Sequence, residues 1–126
     1  MVWDPQSPGR AILIDLETVL DINGVRRHAV ATPGFGALEM FDAFETGLPT
    51  LSKDVYALGL TIACIYGGVR HPTMNVDEPI LQRPLVDALV RNIPDDRVRA
   101  VVRRMTQDDP SNRPSMEQVV DDLEAP

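Results

Sequence analysis

The stretch Lys53-Asp-Val-Tyr-Ala-Leu-Gly-Leu-Thr-Ile-Ala-Cys-Ile-Tyr66 decides the fold. Apolar Val55, Leu58, Ile62 and Ile65 recur at spacings of three and four, and Ala57, Leu60 and Ala63 widen the stripe most of the way round. That pattern predicts a helix surrounded by protein rather than one lying on a surface. Ser52, just ahead of the run, has the hydroxyl that an N-cap uses to satisfy a first-turn amide. Cys64 lies inside the run and is the single cysteine of the chain. It has no partner for an internal disulfide and reads as a buried thiol in a reducing compartment.

C-terminal to this helix, residues Pro72 to Pro84 read as an irregular connection, followed by short helices over Leu85 to Arg91, Asp95 to Thr106 and Ser115 to Leu123. Ser115-Met-Glu-Gln118 fits a capping box, in which hydroxyl and amide satisfy each other's orphan backbone donors. N-terminal to it, residues 1 to 10 are rich in Pro and Gly and read as a turn. Ala11-Ile-Leu-Ile-Asp15 is a short apolar run ending on an acid, the pattern of a buried strand. Asn23-Gly24 marks a turn between two segments able to pair as a small hairpin. Thr32 to Gly36 is a second turn, leading into a short helical stretch around Ala37 to Phe44. The fold class is therefore mainly α, in one domain over residues 1 to 126, with a short N-terminal strand or hairpin.

The chain has 126 residues, a formal charge of −7 and an aromatic share of 5%, so its core rests on Val, Leu, Ile, Ala and Met. The negative field disfavours nucleic acid and anionic membrane surfaces as partners. No apolar run reaches the roughly 18 to 20 residues that span a bilayer. Met1-Val-Trp-Asp-Pro5 has no basic leader region, so the expected location is cytoplasmic.

Four blocks stand out in order: Asp15-Leu16-Glu17 after the apolar strand, Thr32-Pro-Gly-Phe-Gly-Ala-Leu-Glu39 at loop distance, Asp54-Val-Tyr-Ala-Leu-Gly59 opening the apolar helix, and Asp109-Pro-Ser-Asn-Arg-Pro114 before the last helix. Together they resemble the second half of the eukaryotic-type protein kinase domain. Their counterparts there are the Asp-Phe-Gly motif, the threonine-containing activation segment ending in Ala-Pro-Glu, the Asp-x-Tyr/Trp-Ser-x-Gly start of helix F, and the late Asp-Pro-x-x-Arg-Pro. The resemblance runs from about Ala11 to Leu123 and implies a kinase-like C-lobe fragment with an activation segment.

Carried over residue by residue, the resemblance makes Asp15 the acid that holds Mg²⁺ against the phosphates of ATP, a hard oxygen ligand for a hard cation. Thr18 and Thr32 fall in the activation segment, and Thr32 implies a serine or threonine acceptor. Glu39 and Arg113 match a pair that ties the end of that segment to the last helices, where carboxylate and guanidinium can form two parallel bonds. Asp54 matches the helix F acid that clamps the catalytic loop.

The departures are specific. Phe-Gly is replaced by Leu16-Glu17, which removes a glycine's backbone freedom and adds charge near phosphates, and Ala-Pro-Glu reads Ala37-Leu38-Glu39. Asp-Leu-Glu with Thr-Pro-Gly-Phe is also similar to the kinase-like domains of lanthionine synthetases. No Gly-rich loop, no Val-Ala-Ile-Lys lysine and no His-Arg-Asp-x-x-x-x-Asn loop occurs in these residues. ATP and Mg²⁺ are thus implied for an intact parent and neither is expected to bind this chain tightly.

Two readings follow. The first is a severed part of a Ser/Thr-type kinase, whose partner is the missing half. The second is a non-catalytic, pseudokinase-derived module that binds another protein through the helix face bearing Leu58, Ile62 and Ile65, which is expected to face water. His28 and His71 have no second ligand at metal spacing. Arg97, Arg99, Arg103 and Arg104, interleaved with Val98, Val101 and Val102, read as the solvated basic face of an amphipathic helix.

Overall fold

The computed structural model describes residues 2–3, 6, 9–12, 35–37, 51–69 and 81–125. These are mainly helical. Helix α1 spans Leu51–Gly67, α2 Arg83–Arg91, α3 Asp96–Met105 and α4 Met116–Glu124, with a 3-10 turn at Pro110–Asn112. Near the N-terminus two short strands, β1 Val2–Trp3 and β2 Ala11–Ile12, pair antiparallel with Val2 opposite Ile12. Ala11–Ile12 is thus extended as expected; the remainder of that run, the hairpin around Asn23-Gly24 and the stretch 38–44 lie outside the described residues.

Helix α1 is the centre. It packs against both α2 and α3, and α3 in turn carries α4. Its deepest residues are Val55, Tyr56, Gly59, Leu60, Ala63 and Cys64, a ladder two residues wide that repeats every four positions. The stripe expected from sequence is therefore out of phase: Leu58 and Ile62 pack only partly buried at the margin of the core, and Ile65 is 71% exposed. The reason lies in Gly59. A Cβ placed there would come within 2.9 Å of both Met105 Cβ and Thr106 Cγ2, so the missing side chain brings the end of α3 onto this face of α1. Ser52 is likewise no N-cap: it sits inside the first turn of α1, and its hydroxyl donates to Pro110 O at 3.2 Å.

The ends of α1, α3 and α4 have local causes. Helix α1 stops at a pair of bonds, Gly68 N to Ile65 O and Val69 N to Cys64 O, with Gly68 at φ 66. This is the Schellman arrangement, which favours glycine at the left-handed position. Helix α2 begins earlier than its sequence pattern suggests, because Pro84 falls in the first turn, where its missing N–H is harmless. Asp95 caps α3 by accepting from Val98 N at 3.0 Å.

Both halves of the expected capping box close on α4: Ser115 Oγ accepts from Gln118 N at 3.1 Å and Gln118 Oε1 from Ser115 N at 2.9 Å. Replacing Ser115 by Ala is expected to lower stability by about 1 kcal/mol, the usual loss of an N-cap hydroxyl. A chemical-denaturation midpoint unchanged from wild type would contradict that cap.

Ala37, Val55, Leu60, Val86, Val90, Ile93, Val101, Val102, Met105 and Val119 form one buried cluster, with Phe35 packed against it. Cys64 is buried and unpaired, as its place in the run implies, and burial pushes its thiol above the ordinary range. No helix among the described residues is long and apolar enough to cross a membrane.

Candidate functional site: an arginine clamp on the α3–α4 loop

The loop from Thr106 to Pro114 carries the Asp109-Pro-Ser-Asn-Arg-Pro114 block, and two arginines hold it. Its own chemistry bends it first. Asp109 Oδ1 accepts from Ser111 N at 2.9 Å and from Ser111 Oγ at 2.7 Å, which starts the 3-10 turn. An Asp that bonds the backbone two residues on mimics a turn, and these bonds hold the Asp109 carboxyl below its usual range.

The turn delivers Arg113 inward, where only 8% of its surface stays exposed. Its guanidinium donates through Nε to Gln107 O at 2.7 Å, through Nη2 to Asp108 O at 3.1 Å, and through Nη1 to Ser52 O at 3.2 Å. The same group lies 4.8 Å from the centroid of the Tyr56 ring, a cation over an electron-rich face. A planar fork of five donors suits this task, because it can serve several carbonyls at fixed angles. The late block is thereby fastened to the first turn of α1, where Asp54-Val-Tyr-Ala-Leu-Gly59 begins.

Arg83 holds the loop from the other side. Its Nη1 donates to Thr106 O at 2.5 Å and lies 3.4 Å from Asp108 Oδ1, while its Nη2 pairs with Asp87 at 2.6 Å. The bond from Arg83 is the main cause that lowers the Asp87 carboxyl below its ordinary value of 3.8. A carboxylate depressed in the folded state adds stability above its unfolded value, and that stability is lost as pH falls through the lower folded value. Asp87→Asn is therefore expected to lower stability at pH 7 by less than about 1 kcal/mol, since the pair is exposed to solvent. The difference should shrink as the pH is lowered into the acid range, through the depressed folded value of Asp87. A deficit of equal size at pH 7 and in the acid range, read from urea midpoints, would contradict the ion pair as its origin.

Of the residues singled out in the sequence, Asp54 and Arg113 lie within the described structure; Asp15, Thr18, Thr32, Glu39, His28 and His71 lie outside it. Asp54 is on the first turn of α1 and reaches solvent, and partial burial pushes its carboxyl above the ordinary range. From the Thr32-Pro-Gly-Phe-Gly-Ala-Leu-Glu39 block, Phe35, Gly36 and Ala37 are described; Ala37 is fully buried in the central cluster. Among the described residues no group of three or more His, Cys, Asp or Glu side chains is placed to hold a metal.

The basic side of α3 is less free than its sequence implies. Arg99 pairs with Asp96 and donates to Ile93 O, Arg104 pairs with Asp122 of α4, and Arg97 donates to Ala125 O. Three of its four arginines thus fix the ends and neighbours of α3. Arg83 went unremarked in the sequence. Its contacts at Thr106 and Asp108 are 23 and 25 residues away, and only the pairing with Asp87 at i and i+4 is local.

Comparison with family models, curated proteins and solved structures returns no match for this chain.

Proposed function

We propose that the chain is the C-terminal portion of a Ser/Thr-type protein kinase domain, whose parent binds ATP and Mg²⁺ and transfers phosphate to protein hydroxyls, and that the chain alone is inactive. One observation carries this reading. Arg113 of the late block reaches 61 positions back to bond Ser52 at the head of the helix F-like block, and Ala37 from the activation-segment block lies in the same core. The late block is thus fastened to the head of the helix F-like block, and Ala37 packs in the core that α1 helps to form, which supports a kinase-like C-lobe.

In the parent, Asp15 is the residue that would hold Mg²⁺, and the metal would neutralise charge on the transferring phosphate. Glu39 would face Arg113, and Asp54 would receive the catalytic loop. Phosphoryl transfer is positioning and charge stabilisation, and the residues present here supply little of either alone. The test uses the protein isolated from its native source, with whatever precedes Met1 in frame, incubated with Mg²⁺, labelled ATP and casein. Label should enter serine or threonine and fall to background in Asp15→Asn. Equal incorporation by wild type and Asp15→Asn would overturn the assignment.

A second reading is favoured by the end of α1. Ile65 and Tyr66 stand side by side there, 71% and 47% exposed, and a kinase-derived C-lobe kept for binding another protein would use such a face. Wild-type protein that transfers no phosphate, yet is recovered from its source in a stoichiometric complex lost on Ile65→Ser, would favour this second reading.

A further inference from the structure

Helix α4 presents a surface that the clamp and the kinase reading leave unused. Successive residues of a helix are about 100° apart, so Val119, Leu123, Met116 and Val120 follow one another around α4 as a single apolar band. Val119 is buried against the core and Leu123 is partly so. The band then runs out into solvent, where Met116 is 38% and Val120 46% exposed.

Beyond it, on the side away from the Asp122–Arg104 ion pair, stands a ridge of Glu124, Glu117 and Asp121, and α4 contains no basic residue. A shallow groove is lined by Met116, Glu117, Val120 and Asp121. The apolar edge of the core is thus rimmed on its outer side by three carboxylates.

We propose that this face of α4 docks a basic amphipathic helix of a partner protein, its apolar residues at i and i+4 seated on Met116 and Val120 and its Lys or Arg flank over Glu117, Asp121 and Glu124. The charge pattern decides the occupant: an acidic or neutral helix would leave three carboxylates facing like charge or losing water without return, whereas a basic one gains attraction on contact and on approach. A second copy of this chain is a poorer fit, because it carries the same negative charge of −7.

The test uses the 126-residue chain and two model peptides that differ only in flank charge, a Leu/Lys and a Leu/Glu amphipathic helix, followed by fluorescence anisotropy. The Leu/Lys peptide should bind at least about tenfold more tightly than the Leu/Glu peptide and weaken several-fold between 50 and 300 mM salt, roughly as screening of exposed charge requires. The double variant E117K/D121K should weaken the Leu/Lys peptide several-fold and narrow its advantage over the Leu/Glu peptide, and M116S/V120S should weaken the Leu/Lys peptide about tenfold at unchanged salt slope, since the methyl and thioether contacts are apolar. All four positions are exposed, and circular dichroism with a urea midpoint checks that each variant folds. Equal binding of both peptides, no binding of either, or Leu/Lys binding unaltered in E117K/D121K would overturn the proposal. So would a concentration-dependent dimer abolished by M116S/V120S, which would assign the face to a second copy.

Discussion

Replacing Gly59 by Val is expected to lower the unfolding free energy by about 3 kcal/mol, a typical upper cost of forcing extra methyl groups into a packed core. The atoms in the way are Met105 Cβ and Thr106 Cγ2, each 2.9 Å from where the new Cβ would stand. Neither is the free end of a long side chain, and both residues are fully buried. The crossing of α1 and α3 must therefore open. Gly59→Ala is the more informative variant. Alanine gains about 1 kcal/mol of helix propensity over glycine, yet it meets the same two contacts, so a net loss of about 1 kcal/mol is expected. The measurement is a urea midpoint with an unchanged slope. A Gly59→Ala protein more stable than wild type would mean that the two helices do not approach this closely.

The second large effect is expected at Arg113. Arg113→Met keeps much of the aliphatic stem over Tyr56 but removes every donor, leaving the carbonyls of Gln107, Asp108 and Ser52 without that partner. Hydrogen bonds from a charged group contribute about 1.5 to 3 kcal/mol each when counted singly; because the three share one guanidinium, a combined loss of about 3 kcal/mol is expected. Arg113→Lys should recover less than half of it, since an ammonium is a point charge and cannot reach three carbonyls in the geometry of a planar fork. The loss should be accompanied by faster hydrogen exchange through residues 107 to 113, as the loop loses its anchor. Full recovery by lysine would mean that charge near Tyr56, rather than the fork, is what the fold uses.

These two residues also mark what the sequence made legible. Asp95, Ser115 and Gln118 act within four residues of themselves, so α3 and α4 could be placed almost to their ends from local chemistry. Helix α1 was equally visible as an element, but its inward face was not. Nearly every position of Val55 to Ile65 is apolar or small, so hydropathy alone leaves the phase open. The phase is set instead by where α3 can come close, at Gly59, and small Ala63 one turn on extends the same face. Arg113 was visible as a motif residue, and Arg83 was not, because its bonds to Thr106 and Asp108 join segments that no local pattern connects. The cap assigned to Ser52 failed for a related reason: its hydroxyl is used across the fold, toward Pro110, rather than along its own helix.

Arg113, Tyr56 and Asp109 fasten the α3–α4 loop to α1, and under the proposed kinase reading the chemistry of the parent would lie with Asp15, Thr32 and Glu39. The measurement that tests this most directly is the full 5′ end of the native transcript, taken together with the intact mass of the endogenous protein. The account predicts in-frame coding sequence ahead of Met1 that supplies a Gly-rich loop, a lysine strand and a His-Arg-Asp-type loop, and a polypeptide correspondingly larger than 13.9 kDa. A transcript that begins translation at Met1, with an endogenous protein of 13.9 kDa, would contradict it.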